Sequence, residues 1–411
     1  MEPMKENYDV IIVGAGPAGS SCASFLGKYG YDVLLVDKAK FPRDKACGDG
    51  ISGKSVAMLK ELGLLDEILT IEHLKSNGAF VYLSNEIKVE LGSVATPGYD
   101  SKRIVYDNFL FENAKKTSDT LEEFVVTNLL FEDIKVSGIK GIDSESKEER
   151  TFRAKIVVGA DGANSVVASK LKIDKFEPKH RASALRVYYK NIKNLSDKSE
   201  LYFFDGITPG YFWIFPLDKN MANVGLGMLV NDMQKKKVSL QELMLNELKT
   251  NPLLADRFKD AEIVEGSLRG WNLPLGSIRR KIYGNGFVLL GDAASLIDPF
   301  TGEGIGNAML SGKLAAQVID DALKKGDYSE TTLALYDKLL WKEIGNELKT
   351  SYTLQVVGNF LVRFKWLRNL LFKRAAKKPA LTNAIAASFV YGENSDKHKT
   401  SPFKLLKEFI F

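Results

Sequence analysis

Apolar positions along the chain fall into a few distinct rhythms. Residues 8–13 (YDVIIV) form a β-branched apolar run, the pattern of a buried parallel strand. SSCASFLGKYG then predicts a short helix ending at Gly30, and YDVLLV a second strand running into Asp37. Two later segments are also strands that end in an acid. AKIVVGADGANSVV (154–167) runs into Asp161. NGFVLLGDAASLIDPFTGEGIGNAM (285–309) runs into Gly291 and Asp292 before a helix that starts near Gly302–Gly306. Residues 199–229 instead alternate apolar with polar, predicting an antiparallel sheet with one apolar face and a turn near Asp218–Asn220. From about residue 330 the period is helical. The expected fold is α/β, a Rossmann-type domain with an inserted antiparallel sheet and a helical C-terminal region.

The turn after the first strand carries Gly14-x-Gly16-x-x-Gly19. Gly14 permits the tight exit from the strand, Gly16 lets backbone approach a pyrophosphate, and Gly19 allows close helix–strand packing. The helix N-terminus offers free N–H groups to phosphates. Asp37, 23 residues after Gly14, can accept ribose hydroxyls. The glycines, Ala18, Asp37 and Lys38 are therefore expected to hold a dinucleotide. The alternative is a glycine-rich turn in an ordinary α/β domain.

Bulk numbers narrow the rest. The chain has 411 residues, 45% hydrophobic and 27% charged, with a net charge of +5, too weak to argue for nucleic acid. Its 2 cysteines cannot build a disulfide framework, and its 3 histidines lack metal-ligand spacing, so no metal is expected. Cys22 reads as a small core residue of the helix. No uninterrupted apolar run approaches ~18–20 residues, and the polar start MEPMKENYDV is unlike a signal peptide. A cytoplasmic protein is expected.

The acid-terminated strands choose among dinucleotides. After Asp292, a loop with Pro299 leads to GEGIG at a helix start, where backbone N–H groups can stabilise an electron-rich ring edge. Together with GxGxxG and the segment at Asp161, this set resembles the flavoprotein hydroxylase superfamily, whose fold is that of p-hydroxybenzoate hydroxylase. The resemblance runs from about residue 8 to 325. It implies FAD as cofactor, Asp292 on the ribityl chain, and Gly302, Gly304 and Ile305 against the isoalloxazine. SKRIVYDNFLFENA (101–114) resembles the stretch in which an arginine precedes a helix near FAD, and Arg103 is the matching position.

Two further segments resemble geranylgeranyl reductases, which use reduced FAD to saturate isoprenoid double bonds. KACGDGIS (45–52) matches their Cys-Gly-Asp loop, and GYFWIFPL (210–217) their Tyr-x-Trp-x-Phe-Pro motif, carried by Tyr211, Trp213, Phe215 and Pro216. A hydrocarbon offers no polar handle, so recognition must come from burial, roughly 0.8 kcal/mol per CH₂, in a channel of aromatic and aliphatic groups. Tyr211, Trp213, Phe215 and Pro299 are expected to meet the substrate. For Phe203, Phe204 and Phe212, channel and core stay equally open. An unactivated alkene is a poor hydride acceptor, so the site needs an acid, a dry cavity and fixed geometry. Cys47, Tyr211 and Trp213 are the expected catalytic residues. Cys47 stands as proton donor or as a positioned contact, or simply as a small side chain that lets the flavin approach. Asp49, Tyr211 or water can relay the proton. Gly48 and Gly50 let the loop backbone lie against the cofactor.

NFLVRFKWLRNLLFKRAAKKPAL (359–381) places an apolar stripe beside Arg363, Lys365, Arg368, Lys373, Arg374, Lys377 and Lys378 with no acid. A basic amphipathic helix of this kind can rest on the anionic inner face of a cell membrane, or pack on the protein body with its lysines solvated. The expected domains are an FAD-binding unit (1–75, 100–175 and 275–328), a substrate-binding sheet (76–99 and 176–274) and a helical region (329–411). NADPH or ferredoxin are the expected electron donors. Monooxygenase or halogenase chemistry on the same fold, and a non-catalytic lipid-binding flavoprotein, are the alternatives.

Overall fold

The computed structural model describes residues 4–84, 87–91, 98–173 and 177–361, with 364, 366, 369, 370, 373 and 374 beyond them. Asn7–Val13 is the centre of the first sheet. It pairs in parallel with Glu149–Gly159 on one side and Val33–Val36 on the other. Phe287–Leu289 adds to Glu149–Gly159 and Asp119–Leu121 to Val33–Val36, also in parallel. A hairpin of Phe124–Glu132 and Lys135–Asp143 leaves by antiparallel pairing with Glu149–Gly159. The parallel strands are apolar at successive positions because both of their faces are buried. Their C-terminal ends deliver Gly14, Asp37, Ala160 and Leu290 to one edge, where ligands of open α/β sheets bind.

The helix after the first strand spans Pro17–Gly27 and lies close against Ile305–Lys325. A Cβ at Gly312 would stand 2.7 Å from the Ala18 carbonyl oxygen, so glycine sets that approach. The helix Glu330–Leu361 sends Leu333, Tyr336, Leu340, Ile344 and Leu348 into the same core. Each such side chain contributes about 1.5–3 kcal/mol by burial. Tyr336 also donates to the Leu289 carbonyl at 2.9 Å. The start of the expected C-terminal region is thus packed into the first unit. Its basic stretch lies outside the described residues at Arg363, Lys365, Arg368, Lys377 and Lys378.

The second sheet runs Glu262–Ile263, Arg181–Lys190, Met221–Leu229, Tyr211–Pro216, Ser199–Tyr202, Ala79–Ser84, Ile87–Leu91, and Arg269–Pro274 also pairs with Arg181–Lys190. Pairing is antiparallel except between Ser199–Tyr202 and Ala79–Ser84. The predicted turn is present: Leu217 N–H reaches the Met221 carbonyl at 2.8 Å, and Asp218 accepts from Asn220 N–H at 2.6 Å. One face of this sheet closes a second core with Leu240, Met244, Leu248 and Phe258 from its own helices. The other faces the first unit. Between the two lies a small sheet in which Tyr99–Asp100 pairs with both Gly50–Ile51 and Leu74–Lys75. No helix among the described residues is long and apolar enough to cross a membrane.

Candidate active site

A cavity of about 990 Å³ runs from the glycine-rich turn to the second sheet. Its polar end is made largely of backbone. Gly14 adopts φ +100°, and a Cβ there would sit 2.4 Å from the Ala160 carbonyl oxygen. At Gly16 a Cβ would point into open space, its nearest neighbour the Arg43 guanidinium at 3.6 Å. Neither Gly16 nor Gly304, the residues preceding helices Pro17–Gly27 and Ile305–Lys325, caps its helix with a side chain, as glycine must. Both helix starts stand at one cavity, with Ala18, Lys38, Gly302 and Ile305 in its wall, and neither is capped from its own N-cap residue. This cradle fits a dinucleotide with a polar ring edge at its far end.

The expected acids have additional duties. Asp37 accepts from Ala15 N–H at 2.8 Å and Ala39 N–H at 2.9 Å, so it also braces the glycine turn. Asp161 lines the cavity, but it accepts from Val166 N–H (2.6 Å), Val167 N–H (3.1 Å) and the Ser165 hydroxyl (2.5 Å), binding the start of the next helix. Burial raises its pKa in spite of those donors. Asp292 stands at the wall with Lys45 Nζ 3.8 Å away, and burial lowers the lysine's pKa against the pull of Asp292. Gly19 and Gly291 are packing positions outside the wall: a Cβ on Gly19 would meet the Gly14 carbonyl at 1.8 Å, and one on Gly291 the Cβ atoms of Ala308 and Ala18 at 3.1 and 3.2 Å. The Gly302–Gly304 turn is not purely backbone either. The Glu303 carboxylate takes the Gly306 N–H at 2.6 Å, and burial raises its pKa.

The Cys47 loop crosses the middle of the cavity. Arg103, the first residue of helix Arg103–Lys115, is buried and clamps Asp107 through Nε (2.5 Å) and Nη2 (2.7 Å). Arg43 binds the same carboxylate at 2.8 Å. Burial alone would raise the pKa of Asp107, but the Arg103 and Arg43 charges outweigh it and hold the carboxyl below its ordinary range. The Arg103 backbone N–H reaches Asp49 Oδ1 at 3.3 Å on the same loop, where the Cys47 side chain is half-buried in the wall. Arg43 and Asp107 were not legible as site residues: no motif marks them, and only the fold brings them together.

The two reductase-like segments meet in space. A Cβ on Gly48 would lie 3.0 Å from the Phe215 ring and 3.8 Å from Trp213 Nε1. Asn223 joins them: its amide donates to the Cys47 carbonyl (2.6 Å) and to Asp49 (2.8 Å), and its oxygen accepts from Trp213 Nε1 (2.9 Å). Tyr188 donates to Asp49 at 2.8 Å. Asp49, at φ +67°, is fully enclosed. Burial pushes its pKa up to about 6, partly offset by Asn223, Tyr188 and Arg186. Asn223 lies on the neighbouring strand and has no sequence signal of its own.

Beyond the loop the wall becomes aromatic. Tyr211, Trp213 and Phe215 occupy alternate positions of one strand, with ring centroids 5.9 and 6.1 Å apart, and Phe203 adjoins Tyr211 at 6.1 Å. All four line the cavity, whereas Phe204 and Phe212 point into the second core. Strand alternation thus settles a choice that composition leaves open. Tyr211 donates to the Thr301 carbonyl at 2.7 Å, tying the aromatic wall to the turn before the Ile305 helix. Pro299 and the end of helix Glu330–Leu361 (Leu354, Val357, Leu361) complete the wall. Among the described residues, no group of His, Cys, Asp and Glu is placed to hold a metal.

Residues 7–338 match the FAD binding domain family. Digeranylgeranylglycerophospholipid reductase 2 of Methanococcoides burtonii is 35% identical over 357 residues, covering 85% of this chain and 83% of that protein. The chain belongs to this family of FAD-dependent oxidoreductases. A solved structure described as geranylgeranyl bacteriochlorophyll reductase-like, from Thermoplasma acidophilum, superposes with a TM-score of 0.83 at 26% identity, over 98% of this chain and 96% of that one. A flavin-dependent brominase, at 20% identity and TM-score 0.75, covers 98% of both chains and shares the fold. FAD is the cofactor that the cradle suits and the family uses.

Proposed function

We propose that this protein saturates carbon–carbon double bonds in the prenyl chains of a glycerophospholipid. The single observation that carries the reading is the continuity of the cavity: one wall runs from a dinucleotide cradle, past the Cys47–Gly48 loop, to an aromatic channel. A prenyl chain gains about 0.8 kcal/mol per CH₂ buried there and needs no polar partner along its length. The relatives named as digeranylgeranylglycerophospholipid reductases support the substrate class.

When bound, FAD supplies the electron pair to the alkene as hydride. The protein's residues do the rest. Gly14, Gly16, Asp37, Lys38 and Arg43 hold the dinucleotide end. Asp292, Gly302, Gly304 and Ile305 frame the ring end. Gly48, without a Cβ, lets the Phe215 ring pack directly on the loop. Tyr211 and Trp213 press the alkene against one face and exclude water, which keeps a developing positive charge on carbon near aromatic faces rather than near solvent.

Val356, Phe360, Phe364, Trp366 and Leu370 are exposed at the helix end whose Leu354, Val357 and Leu361 line the cavity. This supports peripheral contact with a lipid surface, through which a membrane-held chain reaches the channel. Vesicles carrying anionic lipid are expected to pellet the protein, and truncation after 358 to release it. Equal recovery with neutral and anionic vesicles removes the contact.

The function is tested by mass spectrometry of lipids from cells with and without the gene. Loss of the gene is expected to leave prenyl glycerophospholipids short of hydrogen, two atoms for each double bond. Unchanged saturation across all prenyl lipids rejects the reading.

A further inference from the structure

A proton must reach the alkene carbon that does not receive the hydride, and the polar groups around the reacting region are almost all committed. The Tyr211 hydroxyl donates to the Thr301 carbonyl at 2.7 Å. Asp49 accepts from Tyr188, Asn223 and the Arg103 N–H, and it stands behind the wall. The Arg103 guanidinium is taken by Asp107. Two carboxyl groups of the wall, Glu303 and Asp100, keep an oxygen without a hydrogen-bond partner among the described residues. Glu303 is held as a helix cap: its other oxygen accepts from the Gly306 N–H at 2.6 Å and the Ser52 hydroxyl at 3.2 Å, and burial raises its pKa against the downward pull of Lys54. Asp100 is only 3% exposed and is not tied to a helix in this way.

The fold holds Asp100 close to the Cys47 loop. Asp100 pairs with Gly50 in the small sheet, and Ser101 N–H donates to the Asp49 carbonyl at 3.0 Å. The charged groups brought near by the packed elements are Asp49 on the loop and Arg103 at the helix start. The arginine is bound by Asp107, so it is not free to hold Asp100 as a carboxylate. Burial first, and the neighbouring Asp49 second, raise its pKa well above the ordinary carboxyl value. A carboxyl group kept protonated by an apolar wall and a second carboxyl is a usual form of general acid. An unpaired buried oxygen is also costly to the fold unless a ligand uses it.

We infer that Asp100 is the proton donor of the reduction. This rests on the reading that the chain reduces prenyl alkenes. The Asp100 O–H bond and the alkene π bond break. One new C–H bond takes the hydride from the reduced flavin, which is oxidised, and the other takes the Asp100 proton. The carboxylate left behind regains a proton from water once the product has gone. Cys47 is then a contact that shapes the loop, and Asp49 a positioning residue that keeps Asp100 protonated.

The test uses the FAD-loaded full chain and Asp100→Asn, with digeranylgeranylglyceryl phosphate in detergent as probe. The variant is expected to keep its FAD and its melting temperature. Alkene-driven reoxidation of its flavin, without air, should fall by roughly 100- to 10,000-fold, the usual worth of a general acid. Infrared difference spectra of the wild type should show a protonated-carboxyl C=O band at neutral pH that shifts when the probe binds, and the variant should lack it. Turnover within about threefold of wild type overturns the inference. So does absence of the band at neutral pH, which decides the matter even if the variant does not fold. A wild-type protein that leaves the alkene untouched rejects the functional reading instead, while the band still reports the state of Asp100.

Discussion

The two ends of the cavity are built on opposite plans. At the glycine-built end, backbone makes the wall: Gly14 and Gly16 bring main chain to the surface, the helix Pro17–Gly27 starts without a side-chain cap, and Ile305–Lys325 is capped by Glu303 alone. At the end proposed for the hydrocarbon, side chains do it: Tyr211, Trp213, Phe215 and Phe203 line the cavity from a sheet whose other face is filled by a separate core. A charged, hydrogen-bonding ligand is met by fixed dipoles, and a ligand without polar groups by shape and burial. The Cys47–Asp49 loop is the seam. The Arg103 N–H, on Asp49, ties it to one unit, and Asn223 to the other.

Substitutions at the two ends should therefore separate cofactor from chemistry. The largest effect is expected for Gly14→Val, where the new Cβ collides with Ala160 in a left-handed conformation. Flavin absorbance should be lost after gel filtration, and a yellow variant would break the contrast. Trp213→Leu keeps the cradle intact and should retain FAD while alkene reduction falls roughly 100-fold through misplaced substrate. Equal loss of FAD and turnover would show that the aromatic wall is not a separate device. Cys47→Ala should keep FAD and lower alkene reduction roughly tenfold. Unchanged turnover would remove Cys47 from the mechanism.

A stability effect concerns the seam. Asp49 has a folded pKa of about 6, above its ordinary 3.8. The folded state thus binds its proton more tightly than the unfolded chain, and stability falls as pH rises from about 4 to about 6. Asp49→Asn lacks that dependence. Relative to wild type, the variant should gain on the order of 3 kcal/mol across this window, read from urea unfolding of FAD-loaded protein. A stability difference that is flat with pH would show that Asp49 is not held as described.

The same contrast explains what the sequence disclosed. A site made of backbone needs glycine at set intervals, so Gly14, Gly16, Gly302 and Gly304 were legible, as was the acid-terminated strand at Asp292. A wall of side chains draws on ordinary core residues. Only the folded chain separates Phe203, in the cavity wall, from Phe204 and Phe212, in the core. Arg43, Asp107, Asn223 and Asp100 gave no signal, because their meaning comes from partners on other elements. Asp161 and Glu303 show the reverse case. Asp161 fell in the expected place, but its oxygens serve the next helix, and Glu303 carries a helix-capping carboxylate within a turn read as backbone alone.

The central claim is that electrons held at the glycine-built end go to carbon at the aromatic end. It is tested most directly by reducing the FAD-loaded protein chemically under nitrogen, removing excess reductant, and adding a digeranylgeranyl glycerophospholipid in detergent. The flavin colour should return without air, and each equivalent of colour should add two hydrogens to the lipid. A protein that stays bleached until oxygen enters, with an oxygen atom added to the lipid or no change in it, would contradict the account.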